Sequence, residues 1–204
     1  MYTPDLYKNE NQEEIRAFLK ENSFGILINQ TNGKLCATHI PMELGINAEG
    51  KEILEGHISK LNPQAEGFAA NDQVLAVFSG PHSYISSSWY DHENVPTWNY
   101  IAVHVYGRIK IVDYNTSVDQ LKKLVDKYEA NSANPVRVEN LSDKTMREAR
   151  GIFGLEIEID EIQATKKLSQ NRDDHNYKNI ISELEKTENP QSIAVAKEMS
   201  KCRK

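Results

Sequence analysis

The segment from Trp98 to Val112 places the strongest constraint on the fold, because its side chains alternate strictly in character. Successive side chains of a β-strand point to opposite faces, so this pattern predicts one long strand. Its two predicted faces are an aliphatic one, of Ile101, Val103, Val105, Ile109 and Ile111, and a half-polar aromatic one, of Trp98, Tyr100, Ala102, His104 and Tyr106. The first suits the core of a barrel or sandwich. The second is too apolar to be left in water, so we expect a second subunit, a bound ring system or both to cover it.

The region around this strand is the candidate site. Between Phe78 and Tyr106 lie both tryptophans, four of the nine tyrosines and three of the six histidines. Planar rings mixed with hydroxyls, amides and proline turns are typical of a pocket for a flat polar ligand. An aromatic core corner or a subunit interface has the same composition, and composition alone favours that plainer interpretation.

The other elements are predicted from periodicity and turn signals. An amphipathic helix over 12–22 follows Asn11 as its N-cap, and Asn32-Gly33 lies between two apolar runs, the pattern of a β-hairpin. Further strands are predicted at 24–29, 35–42, 53–58, 74–78 and 151–162. One helix is predicted from Asn62-Pro63 to about Asn71, and another over 116–130, with Ser117 as its cap and Gln120 completing a capping box. A short helix is predicted over 143–149, and two surface helices are predicted over 177–186 and 190–201. Consecutive strands without regular strand-helix alternation predict an antiparallel α+β barrel or sheet. No dinucleotide, P-loop, α/β-hydrolase or zincin motif is present in the sequence.

Composition and charge limit the partners. The formal net charge of -6, 39% hydrophobic residues, and the lack of a long apolar run or cleavable signal predict an acidic cytoplasmic protein with no membrane partner. Two cysteines without metal-ligand spacing predict neither a disulfide framework nor structural zinc. Residues 163–204 carry +3 and residues 1–162 carry -9. This distribution makes direct DNA binding doubtful and favours a solvated charged helix at the C-terminal end.

Residues 56–64 form the most interpretable of three polar clusters, the others being 38–41 and 167–172. Ser59 and Lys60 end a predicted strand, and Asn62 begins a predicted helix. Together they would offer one anion a hydroxyl, a cation and the free backbone N–H groups of a helix start. The same residue types also occur at ordinary helix starts.

Seven short motifs taken in order resemble the PaiB-type family of FMN-binding negative transcriptional regulators. They are ATHIP, GHxxxxNPQ, GPxxYIS, SWY, PTWNY, AVHVYG and KLSQNR, and the resemblance extends from Met1 to about Met199. The family is similar to the flavin split barrels related to pyridoxamine phosphate oxidase, which are homodimers with FMN in a cleft between subunits. The resemblance therefore implies a mainly β, antiparallel split barrel over 1–162, with a linker and helices over 163–204 packing on the same domain.

The resemblance also implies the residues that hold FMN. The phosphate would be held by Ser59, Lys60 and Asn62, and the ribityl chain and ring edge by Thr38, His39 and His57. The long strand would contribute Trp98, Asn99 and Tyr100, and the linker Ser169, Gln170 and Arg172.

The sequence departs from the family at two motifs and one loop. Ser59-Lys60-Leu61-Asn62 stands where an Ala-Arg-Ala-Asn type is usual, and Ser86-Ser87-Ser88-Trp89 where Ser-Pro-Ser-Trp is usual. Lys60 can replace arginine as a phosphate cation, although not as a bidentate fork. The loop between Trp89 and Pro96 is shorter than usual, which leaves the ligand contacts made by that loop in doubt.

Two functions remain open from the sequence. One is a regulator in which bound FMN acts as a sensor, and the other is an FMN-dependent oxidoreductase acting on a small molecule. No acid-base pair can be identified, so catalytic residues stay unassigned. His39, His57, His82 and His104 could together bind haem or a metal, but without ligand spacing each is better explained as a hydrogen-bonded histidine, and no metal site is predicted.

Overall fold

The computed structural model describes residues 1–68 and 72–203. Six strands form a closed barrel in the order β1-β2-β3-β6-β5-β4. The strands are β1 Phe24–Thr31, β2 Lys34–Ile46, β3 Glu52–Ser59, β4 Asp72–Ile85, β5 Thr97–Ile111 and β6 Ile152–Lys167. The α-helices are α1 Gln12–Glu21, α2 Tyr114–Glu129, α3 Asp143–Met146, α4 Asp174–Lys186 and α5 Pro190–Cys202, and short 3-10 helices lie at Asp5–Tyr7, Pro63–Gly67, Ser87–Trp89, Val138–Asn140 and Glu148–Gly151. The predicted antiparallel α+β barrel is confirmed.

The first hairpin forms at the turn that the sequence predicts. Phe24 on β1 pairs with Pro41 on β2, and the register runs without a break to Thr31 opposite Lys34. Asn32 and Gly33 both have positive φ, 50° and 76°, which a two-residue type I′ turn requires. The turn therefore fixes the register of the polar residues on β2.

The chain divides into two compact units, the first made of residues 1–18, 78–104 and 163–204 and the second of 19–77 and 105–162. The first unit has its own core, whose buried members are Ile85, Tyr90, Ile101, Leu168, Tyr177, Ile180, Leu184, Val195, Ala196 and Met199. The second contains fully buried aliphatic residues on several strands, among them Leu27, Met42, Leu54, Ile109 and Leu155.

The C-terminal helices differ from the sequence prediction. They are not solvated surface helices, because each buries one complete side. Tyr177, Ile180 and Leu184 on α4 are at most 3% exposed, and Val195 and Met199 on α5 are fully buried. Their charged residues occupy the opposite sides, which is the arrangement of an amphipathic pair.

Helix α2 begins at Tyr114, two residues before its predicted start at 116, and its cap lies four residues before the predicted Ser117. Asp113 caps the helix, since its carboxylate accepts hydrogen bonds from the amides of Asn115 and Thr116. Ser117, the predicted cap, instead donates to the Asp113 carbonyl at 2.8 Å and accepts from the Gly154 amide at 3.2 Å. The predicted capping box is therefore wrong.

Other boundaries shift as well. The helix predicted at Asn62 is a 3-10 helix that ends at Gly67, and its expected end at Asn71 lies outside the described residues. The helix predicted over 143–149 is one α-helical turn, α3, followed by a 3-10 turn. Strand β6 continues to Lys167, so the first residues of the predicted linker are strand.

Candidate functional site

Strand β5 presents the two faces that its sequence predicts. Ile101, Val103 and Val105 are at most 6% exposed. The buried side also contains Asn99, which is completely buried, whereas Ile111 at the strand end is 39% exposed and departs from the predicted pattern. On the opposite side Trp98 is 48% exposed, and Tyr100, Ala102, His104 and Tyr106 are half-buried.

An aromatic group projects from β4 and β5, and we call it the Trp98 cluster: Trp98, His82 and Tyr84. The rings of His82 and Trp98 stack, with centroids 5.9 Å apart and planes inclined by 26°. Tyr84 meets Trp98 edge-on at 6.1 Å and is itself 47% exposed. The three rings therefore form a partly open aromatic surface, suitable for stacking with a further planar group.

His104 lies on the same side of β5 as Trp98. Its Nδ1 atom is buried and has no hydrogen-bond partner among the described residues. Burial lowers the pKa of His104, and the positive N-terminus lowers it further. The neutral ring thus leaves one nitrogen able to bond to a group from outside the chain.

Asn99 and Ser169 are brought together by the structure. The Asn99 Nδ2 atom donates to Ser169 Oγ at 3.0 Å, and Ser169 Oγ donates to Asn99 Oδ1 at 3.1 Å. Both side chains are buried, and Ser169 has a positive φ of 59°. In this arrangement the pair fixes the turn after β6, and its polar atoms are already used within the chain.

Gln170 and Arg172 complete that turn. The Gln170 side chain donates to the Lys166 carbonyl and accepts from the Leu168 amide at 2.7 Å. The guanidinium of Arg172 lies 4.9 Å from the centre of the Tyr90 ring, a cation-π contact. Both side chains are half-buried, and of the two only Arg172 is charged.

A second polar group lies on β2 and at the start of the Pro63–Gly67 helix. Asn62 donates to Thr38 Oγ1 at 2.9 Å, and Thr38 donates to Gln64 Oε1. Gln64, which sequence reasoning did not single out although it ends the GHxxxxNPQ motif, is 2% exposed and donates to the Leu27 carbonyl at 3.0 Å. Two predicted site residues therefore bond to each other directly, and the buried Gln64 amide accepts from one of them.

The proposed anion cluster at Ser59 and Lys60 differs from the prediction in one respect. The expected free N–H groups are not free, because the amides of Lys60, Leu61 and Gln64 all donate within the chain. Their acceptors are the Gly151 carbonyl at 2.9 Å, Ser59 Oγ at 3.2 Å and Asn62 Oδ1 at 3.0 Å. Any anion would depend on side chains alone. The Lys60 ammonium is exposed and lies 5.2 Å from the centre of the Phe153 ring.

The two predicted site histidines, His39 and His57, differ in exposure. His39 is exposed and stacks on Phe24 with ring centroids 6.2 Å apart. His57 is half-buried on β3, and burial lowers its pKa. Within the described ranges no group of His, Cys, Asp and Glu side chains could hold a metal ion.

Comparison with known proteins defines the class. Residues 1–161 match the family described as "Putative FMN-binding domain", and the chain belongs to that family. Similar solved structures include an FAD and heme binding protein from Mycobacterium smegmatis, with a TM-score of 0.61 and 15% identity over 79% of this chain and 73% of that one. The flavocytochrome Anf3 from Azotobacter vinelandii also has a TM-score of 0.61, with 17% identity over 84% and 75% of the two chains. These likenesses show the fold, which is the split barrel of flavin-binding proteins.

Sequence relatives narrow the class to the PaiB type. The chain is 44% identical to the protease synthase and sporulation protein PAI 2 of Bacillus subtilis, over 98% of this chain and 96% of that protein. It is also 26% identical to an uncharacterized protein of Emericella nidulans over 91% and 90% of the two chains. The family resemblance drawn from the seven motifs is confirmed. No helix among the described residues is long and apolar enough to cross a membrane.

Proposed function

We propose that the protein is a homodimeric, FMN-binding flavoprotein of the PaiB type that acts as a negative transcriptional regulator and responds to the state of its flavin. The observation that carries the proposal is the open Trp98 cluster on β4 and β5. An exposed surface of tryptophan, tyrosine and histidine rings suits a planar ligand with hydrogen-bonding edges. The isoalloxazine ring of a flavin has both properties.

Groups in the second unit suit a phosphate and a sugar-alcohol chain, both of which FMN carries. Lys60 supplies an exposed cation, and Ser59 supplies a hydroxyl beside it. Thr38 and Asn62 supply a hydrogen-bonded pair of polar side chains for a sugar-alcohol chain. When bound, the flavin would supply redox chemistry, and the protein residues would bind it, orient it and exclude water.

Assembly as a homodimer follows from the same open surface. Trp98 and Tyr84 are each about half exposed, and the half-buried Tyr100 and Tyr106 also lie on that side of β5. Aromatic surface of this extent on a monomer marks a site of interaction. A second copy of the chain would cover the part that the flavin leaves open.

The charge distribution favours indirect regulation. Residues 1–162 carry a net charge of -9, and the +3 on residues 163–204 can neutralise few phosphates. Salt-dependent binding to DNA requires several such contacts, so the isolated protein should bind duplex weakly. Repression would then act through a partner that recognises the flavin state.

The test combines identification of the flavin with a DNA measurement. The cofactor released from purified protein should be FMN, and Trp98→Ala should lower its yield, whereas the exposed Tyr2→Ala control should not. Binding of the oxidised and reduced protein to its own upstream DNA should be weak and nonspecific. Tight, sequence-selective binding at physiological salt would overturn indirect regulation, and a colourless protein that does not bind added FMN would overturn the whole proposal.

A further inference from the structure

A cavity of about 670 Å³ lies in the second unit, between helix α2, the end of β5 and the turn that follows β2. It is separate from the residues assigned to FMN above. A cavity of this volume suits a small metabolite. Five carboxylates and three lysines line it, so its wall carries charges of both signs with an acidic surplus.

Two buried carboxylates belong to this wall. Glu55 on β3 and Glu156 on β6 are directly opposed in the strand register, and each is 8% exposed. Like charges in that position repel each other unless each is compensated. The Lys123 ammonium lies 2.8 Å from Glu55, and the Lys110 ammonium lies 2.7 Å from Glu156.

Gln120 on α2 is the feature that points to a ligand. Its side chain lines the cavity and is 92% buried, yet neither Nε2 nor Oε1 has a hydrogen-bond partner among the described residues. A buried amide with both ends unpaired destabilises the fold, so an unpaired amide in a polar cavity indicates a group that arrives from outside. That group must both accept from Nε2 and donate to Oε1.

We propose that this cavity binds a free α-amino acid with a basic side chain. The α-carboxylate would accept from Gln120 Nε2 and from the lysines, and an ammonium group would donate to Gln120 Oε1 and to the carboxylates. The acidic surplus of the wall favours a ligand with a second cationic group. A simple anion would be repelled by the five carboxylates, and a simple amine would leave Gln120 Nε2 without an acceptor.

The ligand chemistry is tested by titrating the full-length protein with L-lysine and its two truncated analogues, using calorimetry and thermal unfolding. L-Lysine should bind once per chain and raise the melting temperature. Cadaverine, which lacks the carboxylate, and 6-aminohexanoate, which lacks the α-amino group, should bind at least about tenfold more weakly. Equal binding of cadaverine, or no shift with L-lysine, L-arginine or L-ornithine at about 10 mM, would overturn the proposal.

The role of Gln120 is tested by Gln120→Leu, which keeps the approximate shape and removes both unpaired atoms. The variant should have a higher melting temperature without ligand and at least about tenfold weaker L-lysine binding. Gln191→Leu on the exposed surface of α5 is the matched control and should change neither. If Gln120→Leu does not fold, Glu156→Gln should still weaken L-lysine binding by at least about tenfold. Unchanged binding in either folded cavity variant would contradict the assignment.

Discussion

Lys60 is the residue to which we assign the FMN phosphate, and its ammonium is exposed beside the Phe153 ring. Lys60→Ala should weaken FMN binding by about 1.5 to 3 kcal/mol, the usual value of a charge-assisted hydrogen bond. Lys60→Arg should retain most of the affinity because it keeps the charge. Calorimetric titration measures both. Weakening of riboflavin and FMN to the same extent would show that Lys60 does not act on the phosphate.

The two half-buried histidines, His57 and His104, predict how stability depends on pH. Burial lowers the pKa of His57 and of His104, so between the ordinary value of 6.5 and the lowered values the unfolded chain binds more protons than the folded one. Their contribution to stability is complete above pH 6.5 and is lost as the pH falls through the lowered pKa values. The free energy of unfolding should therefore decrease between pH 7 and pH 5.

Urea unfolding across this pH range measures the effect. Replacing both His57 and His104 by Gln should flatten the dependence, whereas replacing the exposed His175 by Gln should not. A double variant with the same slope as the unchanged protein would assign the pH dependence to other groups.

At the level of single residues, sequence predicted residue types better than residue roles. Thr38 and Asn62 do lie together, as a shared site requires. However, Gln64 joins them to Leu27, and that long-range contact leaves no periodic signal in the sequence. The free amides expected near Lys60 are paired because Ser59, Asn62 and the distant Gly151 supply acceptors. Such pairings depend on tertiary placement.

Strands β5 and β6 approach each other closely at Gly107. A Cβ atom added there would clash with the carbonyl oxygen of Glu158, a backbone atom that can move only together with its strand. Gly107→Ala should lower the free energy of unfolding by about 2 kcal/mol or more, as overpacking does. Gly151→Ala is the matched control, because an added Cβ there meets nothing within 4 Å. Equal stability of the two variants in urea unfolding would contradict the observed strand separation.

Whole elements were predictable where the local signal was strong. Asn32-Gly33 and the alternation along β5 specified the hairpin and the long strand, because turn geometry and side-chain period are local properties. The charge pattern did not reveal the burial of α4 and α5, because many charged residues on one side of each helix mask a short apolar side that packs in the core of the first unit. The cap of α2 was placed at Ser117 because several capping residues stand close together, and Asp113 is the one that bonds the first amides.

At the scale of the whole molecule, the open aromatic side of β5 predicts a dimer. Light scattering at micromolar concentration should give twice the chain mass of 23.2 kDa. Trp98→Glu should shift the protein toward monomer, because a buried charge at an interface is unfavourable. The exposed Tyr2→Glu change should not affect the mass. A flavin-loaded particle with the mass of one chain would show that the flavin needs no second subunit.

The most direct test of the flavin assignment is a calorimetric titration of the flavin-free protein with FMN, FAD and riboflavin under the same conditions. A side-chain cation at Lys60 should favour FMN, with riboflavin at least about tenfold weaker because it lacks the phosphate. FAD should also bind more weakly than FMN. Equal affinity for riboflavin and FMN would contradict the phosphate assignment, and tighter binding of FAD would contradict FMN as the cofactor.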